Sequence, residues 1–166
     1  MTDEFRAAAQ SIREEVLVNA WNPALGGFAG HYGGRDLDAS LLQAAPLRFL
    51  PSNDPRLHGA IDAIRKGLAA DGWLQRYRLD DGMGKPSVAF IVCTFWLIEA
   101  LAVAGRQGEA LALMNQIQPA LSPLGLLSED YATASPRMWG NFPQAYSHVG
   151  LIHAAFAASP TWAEVL

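Results

Sequence analysis

Six segments of this chain carry apolar residues at intervals of three and four, the spacing that places side chains on one face of an α-helix. Phe5, Ile12 and Val16 follow this spacing in the first segment. No alternating run of apolar and polar residues competes with these segments, so the sequence predicts an all-α protein of six antiparallel helices. The predicted helices span about 2–20, 38–49, 54–68, 88–104, 106–117 and 143–156.

The connections between the predicted helices are the second constraint. The first, third and fifth are much longer than the roughly 2–8 residues usual between helices. In an antiparallel arrangement all three emerge at the same end, and long ordered loops are commonly functional. They carry aromatic residues beside arginines and carboxylates, including Trp21, Tyr32, Trp73, Arg76, Tyr77, Tyr131 and Trp139.

This mixture of side chains suits a polyhydroxylated ligand. Apolar sugar faces stack on aromatic rings, and sugar hydroxyls exchange hydrogen bonds with carboxylates and guanidinium groups. The alternative is that these aromatic side chains only fix the long loops to the ends of the helices. Their convergence at one end favours the binding interpretation.

Composition excludes several classes of protein. The chain is 51% hydrophobic with a formal net charge of -4, which is typical of an ordered globular protein, and we expect a single domain over 1–166. With a pI near 5.5 and no basic stripe, nucleic acid is not expected as a partner. The most apolar run, 88–104, includes Glu99 and is shorter than the about 20 residues that a membrane-spanning helix needs, so no membrane association is expected.

The compartment and the cofactors follow from a few residues. Asp3 and Glu4 stand where a signal peptide would carry positive charge, so we expect a cytoplasmic protein. Cys93 is the one cysteine and lies in the apolar run, which favours a buried, inert thiol. The histidines lack metal-ligand spacing, so we expect neither a metal nor an organic cofactor.

The longest loop holds two adjacent acids, Glu129 and Asp130. Carboxylates in different environments can divide the work of acid and base catalysis. Because neighbours in sequence point in different directions, we expect only one of them to face a pocket. Both could instead be solvated loop charges. His148, near the start of the last predicted helix, is interpreted as a histidine with satisfied hydrogen bonds.

Several motifs in register make the sequence resemble a known family. The segment Gly-Asn-Phe-Pro-Gln-Ala-Tyr-Ser-His at 140–148, preceded by Gly-Leu-Leu-Ser-Glu at 125–129, resembles the C-terminal signature of bacterial glycoside hydrolase family 15, the glucoamylase and trehalase family. The match covers about Trp21 to Ala158. Further landmarks occur in the same order at 37–42, 49–51, 54–56, 76–77, 80–82 and 93–97.

The resemblance implies a fold and a site. The family folds as an (α/α)6 toroid of twelve helices and hydrolyses α-glucosidic bonds with inversion, so a chain with six predicted helices resembles the C-terminal half of that toroid. The position matching the general base is Glu129. Arg76 matches the arginine that contacts sugar hydroxyls, with Tyr77 beside it, and Trp139, Trp21 and Tyr32 are further expected substrate contacts.

Two departures from the family pattern limit the expected activity. Ser87-Val88-Ala89 stands where family members usually carry a Glu-Gly pair before the following phenylalanine. The general acid belongs to the first six helices of the family fold, which these residues do not match. The sequence therefore predicts the base-carrying half of an inverting α-glucosidase that needs a second half. The alternative is a stand-alone, non-catalytic domain that binds carbohydrate or self-associates.

The expected partners follow from these two hypotheses. The ligand is an α-glucoside or oligosaccharide. A half toroid would expose the apolar helix faces that normally meet the other half. We therefore expect a homo-oligomer, at least a dimer, or a complementary half-domain.

Overall fold

The computed structural model describes residues 2–82 and 84–160, and within these ranges the chain is rich in helix with several short strands. The α-helices are α1 (Thr2–Asn19), α2 (Pro55–Leu68), α3 (Ile91–Val103), α4 (Gln107–Ile117) and α5 (Ala145–Ala158), with 3-10 helices at Ala39–Ala44 and Gln118–Ala120. The strands are β1 (Trp21–Asn22), β2 (Gly27–Phe28), β3 (Ala69–Ala70), β4 (Trp73–Leu74), β5 (Ala89–Phe90), β6 (Asp130–Ala132) and β7 (Arg137–Trp139).

Helix α3 is the centre of the core. It is apolar on all sides, and its residues from Ile91 to Ile98 are all buried. It packs against α2, α4, α5 and the 3-10 helix at Ala39–Ala44, so each of its faces has a neighbour. Cys93 lies inside this helix, which confirms the buried cysteine expected from the sequence, and burial raises the pKa of its thiol.

The starts of two helical segments follow the sequence prediction. Asp54 caps α2, its Oδ1 accepting from the backbone N–H of Arg56 at 2.8 Å, and Pro55 occupies the first helical position. Asp38 caps the second segment through Ser40. That segment is a 3-10 helix ending at Ala44 rather than an α-helix to residue 49, because Pro46 lacks the N–H that a continuing helix would donate.

The all-α expectation missed the strands. Strands β5, β6 and β7 form an antiparallel sheet in which Asp130 lies opposite both Phe90 and Trp139. The helix predicted from residue 88 therefore begins only at Ile91. Each strand has two or three residues, too few for an alternating pattern to emerge. The sheet joins the longest loop to the start of α3.

Two helices leave apolar side chains uncovered within the described residues. On α1, Phe5 is 67% exposed and Ile12 is 60% exposed, so the apolar face that the sequence pattern predicts is largely uncovered by the described residues. Helix α5 packs against α3 through its small residues, and a Cβ added at Gly150 would meet Phe95 at 3.1 Å. Its opposite side carries Phe156, which is 80% exposed. No helix in the described part of the chain is long and apolar enough to cross a membrane.

Candidate functional site

Glu129 lies in the connection just before β6, with both of its backbone groups bonded. Its carbonyl accepts a hydrogen bond from the N–H of Ile91 at 3.0 Å, and its N–H donates to the carbonyl of Asn141 at 2.9 Å. The preceding Leu127 is fully buried. The backbone of Glu129 is therefore fixed to the first residue of the central helix and to the loop before α5.

Two buried serines support the same backbone. Ser147 Oγ, on α5, donates to the carbonyl of Ser128 at 2.7 Å. Ser128 Oγ donates to the carbonyl of Asp130 at 2.6 Å and accepts from the N–H of Trp139 at 3.3 Å. Buried hydroxyls are stabilising only when they are hydrogen-bonded, and both of these are. They connect the Glu129 loop to α5 and to β7.

The two oxygens of the Glu129 carboxylate differ in their contacts. Oε2 accepts from Asn141 Nδ2 at 2.8 Å and from the N–H of Asn141 at 3.3 Å. Oε1 has no hydrogen-bond partner among residues 2–82 and 84–160. Two donors on one oxygen orient the group and leave the other oxygen available to accept a proton or a hydrogen bond.

This carboxylate lines an open cavity of about 360 Å³. The cavity also contacts Asp130, so both neighbouring acids face it, and the expectation that only one would do so is wrong. The reason is the pairing of β6 with β5: Asp130 lies opposite Phe90, and side chains directly opposite each other share one face of the sheet. Burial, and then the charge of Glu129, raise the pKa of Asp130 to about 6. The full lining is Arg76, Tyr77, Pro86, Val88, Phe90, Glu129 and Asp130.

Arg76 is held on three sides at the cavity wall. Its Nε donates to Asp38 Oδ1 at 2.6 Å, its carbonyl accepts from the N–H of Ala39 at 2.8 Å, and its guanidinium lies 5.9 Å from the centre of the Trp96 ring. Its two Nη nitrogens have no hydrogen-bond partner within the described ranges. A planar guanidinium anchored at Nε presents these donors as a fork.

Tyr77 stands between two cavities. Its hydroxyl donates to Asp81 Oδ2 at 2.7 Å, and this hydrogen bond raises the pKa of Tyr77. The second cavity, of about 240 Å³, is lined by Tyr77, Asp38 and Asp81 among others. The carboxylates that hold Arg76 and Tyr77 thus line the neighbouring cavity.

The other three predicted contacts do not line the Glu129 cavity. Trp139 is half exposed, with the guanidinium of Arg137 lying 4.5 Å from its ring centre. Trp21 packs edge-on against Phe28 with ring centres 5.3 Å apart, next to the core. Tyr32 is exposed in the loop after β2. Of the predicted site residues, the structure brings together Glu129, Arg76 and Tyr77.

Sequence reasoning missed several side chains around this cavity. Asn141 and Asp38 hold the glutamate and the arginine, and Phe90 is part of the wall. Tyr146 meets both Phe90 and Trp96 edge-on. Asn141 lies inside the motif at 140–148 and could have been singled out there. Phe90 and Trp96 belong to the apolar run at 88–104 and Tyr146 to the last predicted helix, where helical spacing does not distinguish cavity positions from core positions.

His148 makes two hydrogen bonds away from the cavity. Its Nδ1 lies 2.7 Å from the carbonyl of Gln144, and its Nε2 accepts from the N–H of Leu127 at 3.4 Å. This arrangement confirms the satisfied histidine expected from the sequence.

Residues 2–82 and 84–160 contain no group of three or more histidine, cysteine or acidic side chains placed to hold a metal ion.

The arrangement suits proton transfer beside a polar, ring-shaped ligand. One free carboxylate oxygen can take a proton from a bound water, while the arginine and tyrosine can bond to hydroxyl groups. Phe90 and Val88 supply apolar contact in the same cavity.

Comparisons with known proteins identify relatives of this chain. The trehalase of Mycobacterium tuberculosis is 40% identical over 154 residues, which cover 91% of this chain and 22% of that protein. The trehalase of Thermoplasma volcanium is 36% identical over 153 residues, covering 92% of this chain and 25% of that protein. This chain therefore spans about a quarter of the length of the curated relatives it matches.

Solved structures match the fold. A wild-type glycosidase superposes with a TM-score of 0.77 at 23% identity, covering 95% of this chain and 44% of that chain. The family model described as glycosyl hydrolases family 15 matches residues 2–156. Because this match covers nearly the whole sequence, the chain belongs to glycosyl hydrolases family 15.

Proposed function

We propose that this chain carries the water-activating half of an inverting α-glucoside hydrolase site. The observation that carries the proposal is the Glu129 carboxylate. One of its oxygens is held by Asn141, and the other is free in a cavity that Arg76 and Tyr77 share. In an inverting reaction such a carboxylate accepts a proton from the water that attacks the anomeric carbon.

The sugar contacts in this proposal are Arg76 and Tyr77. The Nη groups of Arg76 would donate to sugar hydroxyls, and Tyr77 would contact the same sugar from the wall between the two cavities. Trp139, half exposed on the strand beside Asp130, is proposed as an outer stacking surface for a longer substrate. Trp21 and Tyr32 lie outside the cavity lining and are not assigned a sugar contact.

The substrate class follows from the relatives. The curated relatives named above are trehalases, so we propose an α-linked glucoside with trehalose as the first substrate to test. Maltose and starch are the alternatives that the family resemblance leaves open. The ring stacking and hydroxyl recognition that the cavity offers suit each of them.

The second carboxyl group of the reaction is proposed to come from polypeptide outside these 166 residues. Inversion uses two carboxyl groups roughly 6.5–9.5 Å apart, so that a water fits opposite the leaving group. Asp130 is adjacent to Glu129 in the chain and faces the same side of the cavity. We therefore propose that this single domain is half of an (α/α)6 toroid and that a complementary half supplies the acid.

Self-association or pairing with that second half would cover the apolar faces of α1 and α5. Val149, Ile152 and Phe156 share one exposed side of α5. Exposed apolar surface of this kind marks interfaces. The same observation favours the alternative function, a non-catalytic domain that binds carbohydrate or associates with itself. A cytoplasmic location stays a prediction.

Glucose release by the whole chain tests the catalytic proposal. Wild type, Glu129→Gln and Glu14→Gln, a control on the exposed helix α1, are incubated with trehalose, maltose or starch. With the complementary half added, we expect wild type and Glu14→Gln to release glucose and Glu129→Gln to release none. Because inversion changes only the attacked anomeric carbon, trehalose should give equal amounts of β-glucose and α-glucose in the first NMR spectra. Trehalose binding without turnover, also with an added complementary half, would favour the alternative. A chain that binds no glucoside would contradict the catalytic proposal and the carbohydrate-binding alternative, and would leave self-association as the remaining function.

A further inference from the structure

Asp38 connects the start of the 3-10 helix to Arg76 at the cavity wall. Its Oδ1 accepts from the N–H of Ser40 at 2.7 Å and from Nε of Arg76 at 2.6 Å. The first contact is an ordinary helix cap, which serine or asparagine could also make. The second contact joins residues 38 positions apart, and capping does not require it.

The contact with Asp38 determines which donors of Arg76 stay free. Nε is occupied, Trp96 covers the guanidinium at 5.9 Å, and Ala39 bonds the Arg76 carbonyl. Both Nη nitrogens are without a hydrogen-bond partner in the described part of the chain, and Arg76 lines the Glu129 cavity. An arginine fixed in this way loses little further side-chain freedom when it binds a ligand.

We propose that Asp38 is a positioning residue for sugar recognition, orienting Arg76 so that its two Nη groups donate to hydroxyls of the α-glucoside. The inference rests on the proposed function, because it takes Arg76 as a sugar contact. Asp38 lines the second cavity and not the Glu129 cavity, so it holds the arginine from outside the proposed sugar site. Without Asp38, Nε is free and the guanidinium can adopt other rotamers.

The chain contains a matched control in Asp54. This aspartate caps α2 through the N–H of Arg56 and binds the Arg56 side chain at 3.0 and 2.7 Å. It therefore makes the same two kinds of contact as Asp38, but it lines neither cavity. Asp38→Ser and Asp54→Ser both keep a capping hydroxyl and lose a pairing with arginine. Only the first substitution releases Arg76.

Calorimetric binding of trehalose to the full chain tests the proposal, with wild type, both serine variants, Arg76→Met and the double variant Asp38→Ser/Arg76→Met. We expect Asp38→Ser and Arg76→Met each to weaken binding about tenfold, which corresponds to about 1.4 kcal/mol. Asp54→Ser should bind as wild type does. The double variant should bind no more weakly than Arg76→Met, since Asp38 acts through Arg76. Asp38→Asn keeps a neutral acceptor and should restore part of the affinity.

A measurement without ligand separates positioning from folding. In NMR spectra the Nε–H signal of Arg76 should exchange slowly with water in wild type and in Asp54→Ser, and rapidly in Asp38→Ser. Two outcomes overturn the positioning role alone. One is equal exchange of the Arg76 Nε–H in the two serine variants. The other is a trehalose affinity that Arg76→Met lowers and Asp38→Ser leaves unchanged. The titrations use whichever of trehalose, maltose and starch the wild type binds. Affinity unchanged in Arg76→Met overturns the assignment of Arg76, and a wild-type chain that binds none of the three overturns the proposed function and this inference together.

Discussion

Gly140 lies where a single added methyl group would press on both acids of the cavity. Its backbone has a φ of +75°, in the left-handed region that side chains disfavour. A Cβ built there would be 3.1 Å from Glu129 Oε2 and 3.2 Å from Asp130 Oδ2. Gly140→Ala therefore combines a backbone penalty with a displacement of the carboxylates.

Gly125 separates these two effects. Its φ is +72°, it is exposed like Gly140, and nothing lies within 4 Å of an added Cβ. Gly125→Ala should lower the free energy of unfolding by about 1–2 kcal/mol from backbone conformation alone. Gly140→Ala should cost the same, plus less than about 1 kcal/mol for the contact, because half-buried carboxylates beside an open cavity shift more easily than a packed core.

The larger effect of Gly140→Ala should be on the site. Moving Glu129 Oε2 by a few tenths of an ångström loosens its hydrogen bond to Asn141. Because a misplacement of about 1 Å can cost about a hundredfold in rate, we expect a several-fold loss of turnover or of trehalose affinity. Urea unfolding followed by tryptophan fluorescence and calorimetric titration measure the two quantities. Equal ligand effects in the two alanine variants would refute the reasoning.

Three further outcomes are expected. Because burial raises the pKa of Asp130 to about 6 from 3.8, the folded chain holds this proton more tightly than the unfolded chain, and the free energy of unfolding falls as the pH rises from about 4 to about 6. The fall should amount to about 1 kcal/mol after solvent screening, and Asp130→Asn should remove it. Urea unfolding at pH 4 and pH 7 measures the difference, and the same dependence of unfolding free energy on pH in Asp130→Asn as in wild type would contradict this prediction. Thr94 is buried, and its Oγ1 accepts from the N–H of Leu74 at 2.9 Å. Thr94→Val should therefore lower the free energy of unfolding by about 1–3 kcal/mol in the same assay. An unchanged free energy of unfolding would exclude a stabilising role for this hydrogen bond. Ile152 and Phe156 are exposed on α5, so the double variant Ile152→Gln/Phe156→Gln should lower the average mass in sedimentation equilibrium without lowering the melting temperature. An unchanged average mass would show that this face of α5 takes no part in association.

Local chemistry explains which features the sequence could predict. Asp38 and Asp54 precede helical segments and cap them through residues two positions later, so their role depends on adjacent residues alone. The resemblance of the motifs at 125–129 and 140–148 to the family points to Glu129, and the structure places this residue at a cavity. Both kinds of signal are short stretches of chain, in which residue type and spacing carry the information.

Features that depend on distant contacts were not predictable. The pairing of Asp38 with Arg76 joins two loops that no pattern links. Asp130 faces the cavity because β6 pairs with β5, and strands of two or three residues have no periodic signature. The apolar stripe that includes Phe5 correctly predicts a helix. The spacing of apolar residues does not indicate whether another part of the protein covers that face, and Phe5 is exposed.

The loop that carries Glu129 is fixed by the central part of the core. Leu127 is buried, Ser128 is bonded by Ser147 of α5, and Glu129 is bonded by Ile91 at the start of α3. Helices α3 and α5 pack against each other within the described residues, and none of these contacts involves α1, whose apolar side is exposed. The position of Glu129 therefore depends on contacts that require no covering partner. Under the proposed function, a complementary half would add the general acid beside a glutamate whose position does not depend on it, so we expect Glu129 to keep its contact with Asn141 whether or not that half is bound.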